Sequence, residues 1–451
     1  MNVAKPLPFL ALAIISLLSA CSIGKKQPLW TTQHPVDIAY YNSVVRVSRK
    51  APNYLDLARD NALKEISNQI SVTIDADIAL RETETNGIPS AEIINQIRTS
   101  TRSKLANVQL AGSFQNDTEY WAYYRLSKSE YLAWRMTQRD LAIQQALPLL
   151  DEFDKATIDL APAITALFRA MELIIDFSDL DLRTSYQGKT INLYNELFQR
   201  ISKLPAMINM SYETANLSLV AMQKELHIIP VDVIHDKDGQ RNICRGFPVV
   251  FNFRGGAGDI VRNSLTDNNG KAELLIRRIT DFTDPQFIEM RPDKDYWQSR
   301  LENPVVKKLL AQLQFAPTIL KLNVRRPRAF VDYSFDNGPG AGYKDLIIKK
   351  LQDLDLEVVA DSSASDFTFK VIIVSQDGDY VSRLQLMSAS ADAYVELLKS
   401  KGYKSLYNTN LTGIKGTGSD QKTALKMTEL NSAAEICDKL LYMIVEQHIM
   451  R

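Results

Sequence analysis

The chain has little of what active sites are usually built from. It holds four histidines and three cysteines in 451 residues. His34, His227, His235 and His448 stand in four unrelated contexts with no spacing suited to zinc, so no metal site is expected. There is no Gly-x-Ser-x-Gly elbow and no His-Glu-x-x-His pair. Gly255-Gly256-Ala257-Gly258 lacks the strand-to-helix setting of a phosphate loop and reads as a turn. Net charge is absent as well, with 53 basic residues against 53 acidic. That balance speaks against a nucleic-acid binder and against a polybasic patch for anionic lipid. Beyond the N-terminus no apolar run approaches the length of a membrane-spanning helix. No catalytic residue, cofactor or metal ligand is therefore assigned, and an enzyme is not expected.

What is present begins at the N-terminus. Lys5 precedes an apolar run from Leu7 to Leu18, too short to span about 30 Å of hydrocarbon and flanked like a cleaved signal. The run closes on Leu18-Ser19-Ala20-Cys21, which resembles the lipobox of bacterial lipoproteins. The resemblance implies that residues 1–20 are a signal peptide and that Cys21 carries acyl chains as the mature N-terminus. A plain secretory signal with a chance cysteine is the alternative. Ser22, where inner-membrane lipoproteins resemble one another in carrying Asp, implies the outer membrane, with the body facing the periplasm. Cys244 and Cys437 remain, and read as two small buried apolar residues rather than a disulfide.

The expected fold class is α+β and multidomain. Residues 21–35 form a polar tether containing Lys25, Lys26 and Pro28-Leu29-Trp30. Residues 36–135 are expected to form a first α+β domain. Val36–Arg49 reads as a strand, and Ala58, Ala62, Ile66 and Ile70 mark one stripe of a helix ending near Gln69. From Val72 to Leu80 the period changes to two, the pattern of a half-buried strand with Asp75 and Asp77 facing outward. Pro89-Ser90 opens a second helix to about Leu105, and Val108–Phe114 with Glu119–Leu126 forms a hairpin turning at Asn116-Asp117. The Pro-x-Trp near the cysteine, the helix running into Gln69-Ile70-Ser71-Val72 and the Tyr120-Trp121-Ala122-Tyr123-Tyr124-Arg125-Leu126 strand resemble the LPP20 lipoprotein family. That family implies an envelope lipoprotein and brings no catalytic residues.

Residues 136–225 read as a helical connector of three or four helices, with Ile191, Tyr194, Phe198 and Ile201 at 3-4-3 spacing and breaks at Pro148, Pro162 and Pro205. Residues 226–317 read as a β-sandwich and spacer, because turn residues recur between short strands from Ile228 to Ile276. Gly246-Phe247-Pro248-Val249-Val250-Phe251-Asn252-Phe253 and Thr266-Asp267-Asn268-Asn269-Gly270-Lys271-Ala272 resemble bacterial Ig-like domains. The acidic turn at Asp267 lacks a bidentate Glu for calcium and reads as a hairpin. Pro317 to Pro327 reads as a basic spacer into a last α+β domain, residues 318–451. There 389–398 is read as a strand, Gly413, Gly416 and Gly418 as loop glycines, and Ser419–His448 as a helix with Cys437, Leu440, Leu441 and Ile444 on one face.

Two functional classes follow. One is a structural or adaptor lipoprotein, tied to the bilayer through Cys21 and binding other envelope proteins. The other is a periplasmic enzyme, or an activator of a peptidoglycan-modifying enzyme.

Overall fold

The computed structural model describes residues 26–81, 105, 107–213, 217–237, 239–336 and 343–450. The fold is α+β, and it divides into two compact units: Met1–Ala142 with Ile175–Leu182, and Ile143–Ile174 with Arg183–Arg451. Cys21 and the expected helix after Pro89 lie outside the described residues.

The first unit contains β1 (Tyr40–Ser48), α1 (Tyr54–Arg81), β2 (Gln109–Gln115), β3 (Glu119–Ser127) and the start of α2 (Lys128–Lys155). The strands form an antiparallel sheet in the order β1-β3-β2. Ala58 and Ala62 of α1 pack on Val45, Val47, Tyr120 and Ala122. Asn116 makes the expected turn, its carboxamide oxygen accepting from the Thr118 and Glu119 amides. Trp30 lies against Tyr123, ring centroids 5.9 Å apart, and over Gly112, where a Cβ would come within 3.3 Å of the indole. Arg135 of α2 and Asp179 form a buried pair, their side chains 6% and 3% exposed, and Arg135 also donates to the Asp176 carbonyl at 2.7 Å. Burial alone would lower the Arg135 pKa; the hydrogen bond and charge of Asp179 outweigh it and raise it. Breaking such a pair leaves an uncompensated buried charge, a cost of about 3–5 kcal/mol.

One expectation for this unit fails. Residues 72–80 are not a strand: α1 continues without interruption to Arg81. No Gly or Pro separates Ile70 from Val72, so nothing stops a helix already nucleated and packed. Val72 is itself exposed, so the alternation there does not encode a buried face.

The second unit opens with the end of α2, then α3 (Leu160–Ile174), β4 (Arg183–Tyr186), β5 (Lys189–Asn192) and α4 (Leu193–Met207). Next come β6 (Ile208–Ser211), β7 (Leu217–Val220), β8 (His227–Lys237), β9 (Gln240–Ile243) and β10 (Pro248–Gly255). The chain goes on through β11 (Gly258–Ile260), β12 (Asn263–Leu265), β13 (Lys271–Ile279) and β14 (Gln286–Pro292). Two short helices, α5 (Lys294–Gln298) and α6 (Pro304–Gln312), precede β15 (Thr318–Arg325). Two five-stranded sheets result, one in the order β12-β10-β14-β15-β7 and one in the order β11-β13-β8-β6 with β9 beside β8. Each buries one face, Val249, Phe251, Ile288, Met290, Leu320 and Leu322 in the first and Ile229, Val231, Val233, Leu274 and Ile276 in the second. That is the one-sided burial of strands whose side chains alternate.

The Gly246 and Thr266 motifs meet at this core. The buried Thr266 hydroxyl donates to the Cys244 carbonyl and accepts from the Phe247 amide at 2.8 Å. Asp267 accepts from the Asn269 and Lys271 amides, and Gly270 takes φ +76° beneath it. Those hydrogen bonds hold the Asp267 carboxyl below its ordinary pKa. The motif residues are hairpin staples.

The helical connector is only partly helical. Ile191 lies in the β4–β5 hairpin, and 208–211 and 217–220 are strands that complete the two sheets. Pro148 sits inside α2 and Pro205 inside α4, so neither breaks its helix. The end of α2 explains what secures it. The Lys237 ammonium donates to the carbonyls of Phe153, Asp154 and Ala156. His235 Nε2 meets the Thr157 carbonyl at 2.7 Å, and the Asp154 carboxylate takes Arg200 and the Tyr186 hydroxyl. The carbonyls of Phe153 and Asp154 belong to the last turn of the helix, and those of Ala156 and Thr157 to the residues just after it.

The last portion holds β16 (Arg328–Phe335), α7 (Lys344–Asp353), β17 (Glu357–Val358), β18 (Phe367–Val381), β19 (Leu386–Lys399) and β20 (Lys404–Gly418). It ends in α8 (Gln421–Glu435), a π-helical turn Ile436–Leu441 and α9 (Tyr442–His448). The sheet order is β17-β16-β18-β19-β20, and 389–398 is strand as expected. Cys437, Leu440, Leu441 and Ile444 are buried together in its core.

The expected basic spacer is β15, antiparallel to β14 and parallel to β7. Its last residue and the two arginines that follow it are paired. Arg325 makes a bidentate pair with Asp366 at 2.6 and 2.8 Å, Arg326 reaches Asp355 at 3.2 Å and Arg328 reaches Glu357 at 3.0 Å. Burial raises the Asp366 pKa, but the Arg325 guanidinium and the Arg328 amide outweigh it, leaving the carboxyl below its ordinary value. The three expected loop glycines are strand residues of β20. Gly413, at φ +68°, is the extra residue of a bulge opposite Asp392, whose carboxylate accepts its amide at 2.8 Å. Gly416 and Gly418 let α8 approach.

Two outcomes follow. A Cβ on Gly416 would stand 2.3 Å from the Thr428 amide nitrogen, whereas one on Gly413 meets nothing within 4 Å. Gly416→Ala should cost about 3 kcal/mol by overpacking. Gly413→Ala should cost only about 1 kcal/mol of backbone strain. Equal denaturation midpoints for the two variants would contradict this packing. Burial pushes the Cys244 thiol up to about 12; burial, then the Asp438 charge, takes Cys437 to about 11. A thiol pKa raised by folding favours the protonated native state. Its stabilisation is complete below the unfolded value near 9 and is lost as pH rises towards 12. Cys244→Ala should therefore flatten the alkaline fall in stability, and neither thiol should react with an external disulfide at pH about 8 until the chain unfolds.

Candidate functional site

The chemistry-bearing side chains lie apart and mostly serve the fold. His235 and Lys237 cap α2, and His448 stacks on Tyr407 at 4.7 Å. His227 lies 3.7 Å from Glu225, and His34 is exposed. Tyr333 of β16 donates to the buried Glu429 of α8 at 2.9 Å; burial, then this bond, raises the tyrosine pKa. Asp75 and Asp77 fall within α1. Among the described residues no group of three or more His, Cys, Asp or Glu is placed to hold a metal.

One surface that remains is the face of the last sheet opposite its helices. Alternation sends Ala389, Ala391, Ala393, Val395 and Leu397 of β19 into the core, so Asp392, Tyr394 and Glu396 point the other way. Register then lines up residues from four strands. Asp332, Lys370, Glu396 and Asn408 form one row, and Ser334, Ile372, Tyr394 and Asn410 form the next. They floor an open groove of about 520 Å³ lined by Lys370, Ile372, Tyr394, Glu396, Asn408 and Asn410.

Within the described residues, the side chains of Lys370, Tyr394, Glu396, Asn408 and Asn410 make no hydrogen bond or ion pair. One ammonium, one carboxylate, two carboxamides and the phenol of the exposed Tyr394 thus stand ready together. With Asp332 beside Lys370 the row carries one positive and two negative charges, while the amides both donate and accept. The groove can recognise a polar partner. It has no nucleophile beside a base and no donors aimed at one reacting atom. Sequence reasoning assigned the β19 strand and its core face, but not this groove. Its signal was the outward set Asp392, Tyr394 and Glu396, which acquires meaning only once β18 and β20 are in register beside it.

No family model matches the chain, and no curated protein matches it. Several solved structures align with it in part. A neuraminyllactose-binding hemagglutinin homolog from Helicobacter pylori aligns over 27% of this chain and 86% of its own, with 11% identity and a TM-score of 0.21. A lipoprotein of Neisseria meningitidis aligns over 27% of this chain and 99% of its own, with 10% identity and a TM-score of 0.19. A secreted protein of Helicobacter pylori aligns over 90% of this chain and all of its own, with 10% identity and a TM-score of 0.22. Superpositions at these scores and identities assign the chain neither a family nor a function.

Proposed function

We propose that the protein is an outer-membrane lipoprotein, acylated at Cys21, that works as an adaptor by holding another envelope protein. It takes LPP20-type architecture at its N-terminus and an Ig-like sandwich as a spacer. The anchor reading rests on Leu18-Ser19-Ala20-Cys21; no helix among the described residues is long and apolar enough to cross a membrane. The adaptor reading rests on one observation, the uncovered polar side chains around Tyr394 that have no hydrogen-bond or ion-pair partner among the described residues. A flat array of tyrosine, amide and opposite charges suits a protein surface, in which an aromatic anchor sits within a polar rim. Enzymatic chemistry is not part of this proposal, because the buried titratable pairs, Arg135 with Asp179 and Tyr333 with Glu429, are spent on folding.

Cys21→Ser should release the protein from the membrane fraction, since the acyl chains contribute about 0.8 kcal/mol per buried methylene. A photoactivatable phenylalanine analogue at Tyr394 should crosslink a discrete partner in intact cells, and one at the exposed Tyr442 of α9 should not. Tyr394→Ala should weaken recovery of that partner about tenfold or more, the scale of an aromatic hot spot. An unchanged membrane pool would refute the anchor, and equal crosslinking at the two positions would refute the groove.

A further inference from the structure

The three most exposed large apolar side chains among the described residues are Val36 at 95%, Ile38 at 90% and Leu29 at 78%. All three fall in one stretch of ten residues that leads into β1, and Leu29 stands eight positions after Cys21. Scattered exposed apolar residues are ordinary on a protein surface; the most exposed ones gathered in one short stretch are not.

The backbone of this stretch is tied down. Thr31 donates through its amide and hydroxyl to the Pro28 carbonyl, at 3.1 and 2.7 Å, and the Thr32 amide reaches Leu29 at 3.1 Å. Between them Trp30 is seated on Gly112 and Tyr123. Further on, the Asp37 carboxylate accepts from the Ala39 amide at 2.8 Å, and the Ala39 carbonyl accepts from the Lys128 amide at 2.9 Å. The segment is thus held to the first unit while Leu29, Val36 and Ile38 remain turned to solvent. Resting on the reading of Cys21 as the acylated residue, the eight intervening steps can span at most about 28 Å. Leu29 cannot leave the neighbourhood of the membrane.

We propose that Leu29, Val36 and Ile38 form a membrane-contacting surface, which seats the first unit against the lipid in which the acyl chains are buried. The ten residues carry one aspartate (Asp37) and no lysine or arginine, Lys25 and Lys26 both preceding them, so within the patch itself attraction to anionic headgroups contributes little and the contact is apolar.

The test uses the full acylated protein in phosphatidylcholine vesicles, with a nitroxide at Val36→Cys or Ile38→Cys and a control at Tyr403→Cys, a residue 73% exposed in the last sheet's turn. Cys244 and Cys437 are buried and leave the label to the introduced thiol. Collision with oxygen relative to a water-soluble nickel chelate should be about fivefold higher at 36 and 38 than at 403, and should persist in about 0.5 M salt, where charge attraction is screened. Water-like values at 36 and 38 in protein that sediments with the vesicles would overturn the proposal while sparing the anchor. Acylated protein that does not sediment would overturn both. Shielding in native envelopes but not in protein-free vesicles would mean a protein covers the patch, and the lipid proposal would fall.

Discussion

The last turn of α2 and the two residues after it present carbonyl groups that side chains of β8 answer. One ammonium, Lys237, takes three of these, and His235, two residues earlier on the same strand face, takes a fourth. A buried carbonyl left unpaired costs about 1–3 kcal/mol. Register in β8 therefore matters beyond its own sheet. A slip of one residue would turn His235 and Lys237 away from the helix and Ile229, Val231 and Val233 out of the core. Asp154, inside the last turn, ties Arg200 of α4 and Tyr186 of the β4–β5 hairpin to the same point.

The same economy runs through the rest of the chain. Cations that look like a solvated linker, Arg325, Arg326 and Arg328, each find a carboxylate among residues 355–366. Thr266 and Asp267, in the most motif-like stretch after the lipobox, staple a hairpin. Glu429 is buried beneath Tyr333, and Arg135 against Asp179. Groups of this kind are often sought as catalytic candidates because their environments are perturbed. Here the perturbation has a structural cause in each case, which directs attention to polar groups that the fold leaves unused, those around Tyr394.

Where pattern and structure part, the reason is local. The alternation from Val72 to Leu80 matched a strand, yet it followed a helix with no stop signal, and an established helix extends more cheaply than a new strand begins. Gly413, Gly416 and Gly418 looked like loop residues because glycine is usually read through backbone freedom. Only Gly413 uses that freedom; the other two are glycine because α8 passes within reach of any Cβ. Pro148 looked like a break, but losing one hydrogen bond in a 28-residue helix held at its far end does not end it.

The sequence by itself determined what depends on neighbours along the chain: the Asn116 hairpin, the β19 strand, the apolar face through Cys437 and Ile444, and the α+β character. Each is set by periodicity and turn chemistry within a few residues. Only the tertiary structure decided which strands complete which sheet, that 318–325 is a strand whose Arg325 pairs with Asp366, and that Lys237 closes a helix more than eighty residues earlier. It also decided that Lys370, Tyr394, Glu396 and Asn408 share one face. These facts join residues far apart in sequence, and strand pairing and burial, which create them, leave no periodic trace in any single segment.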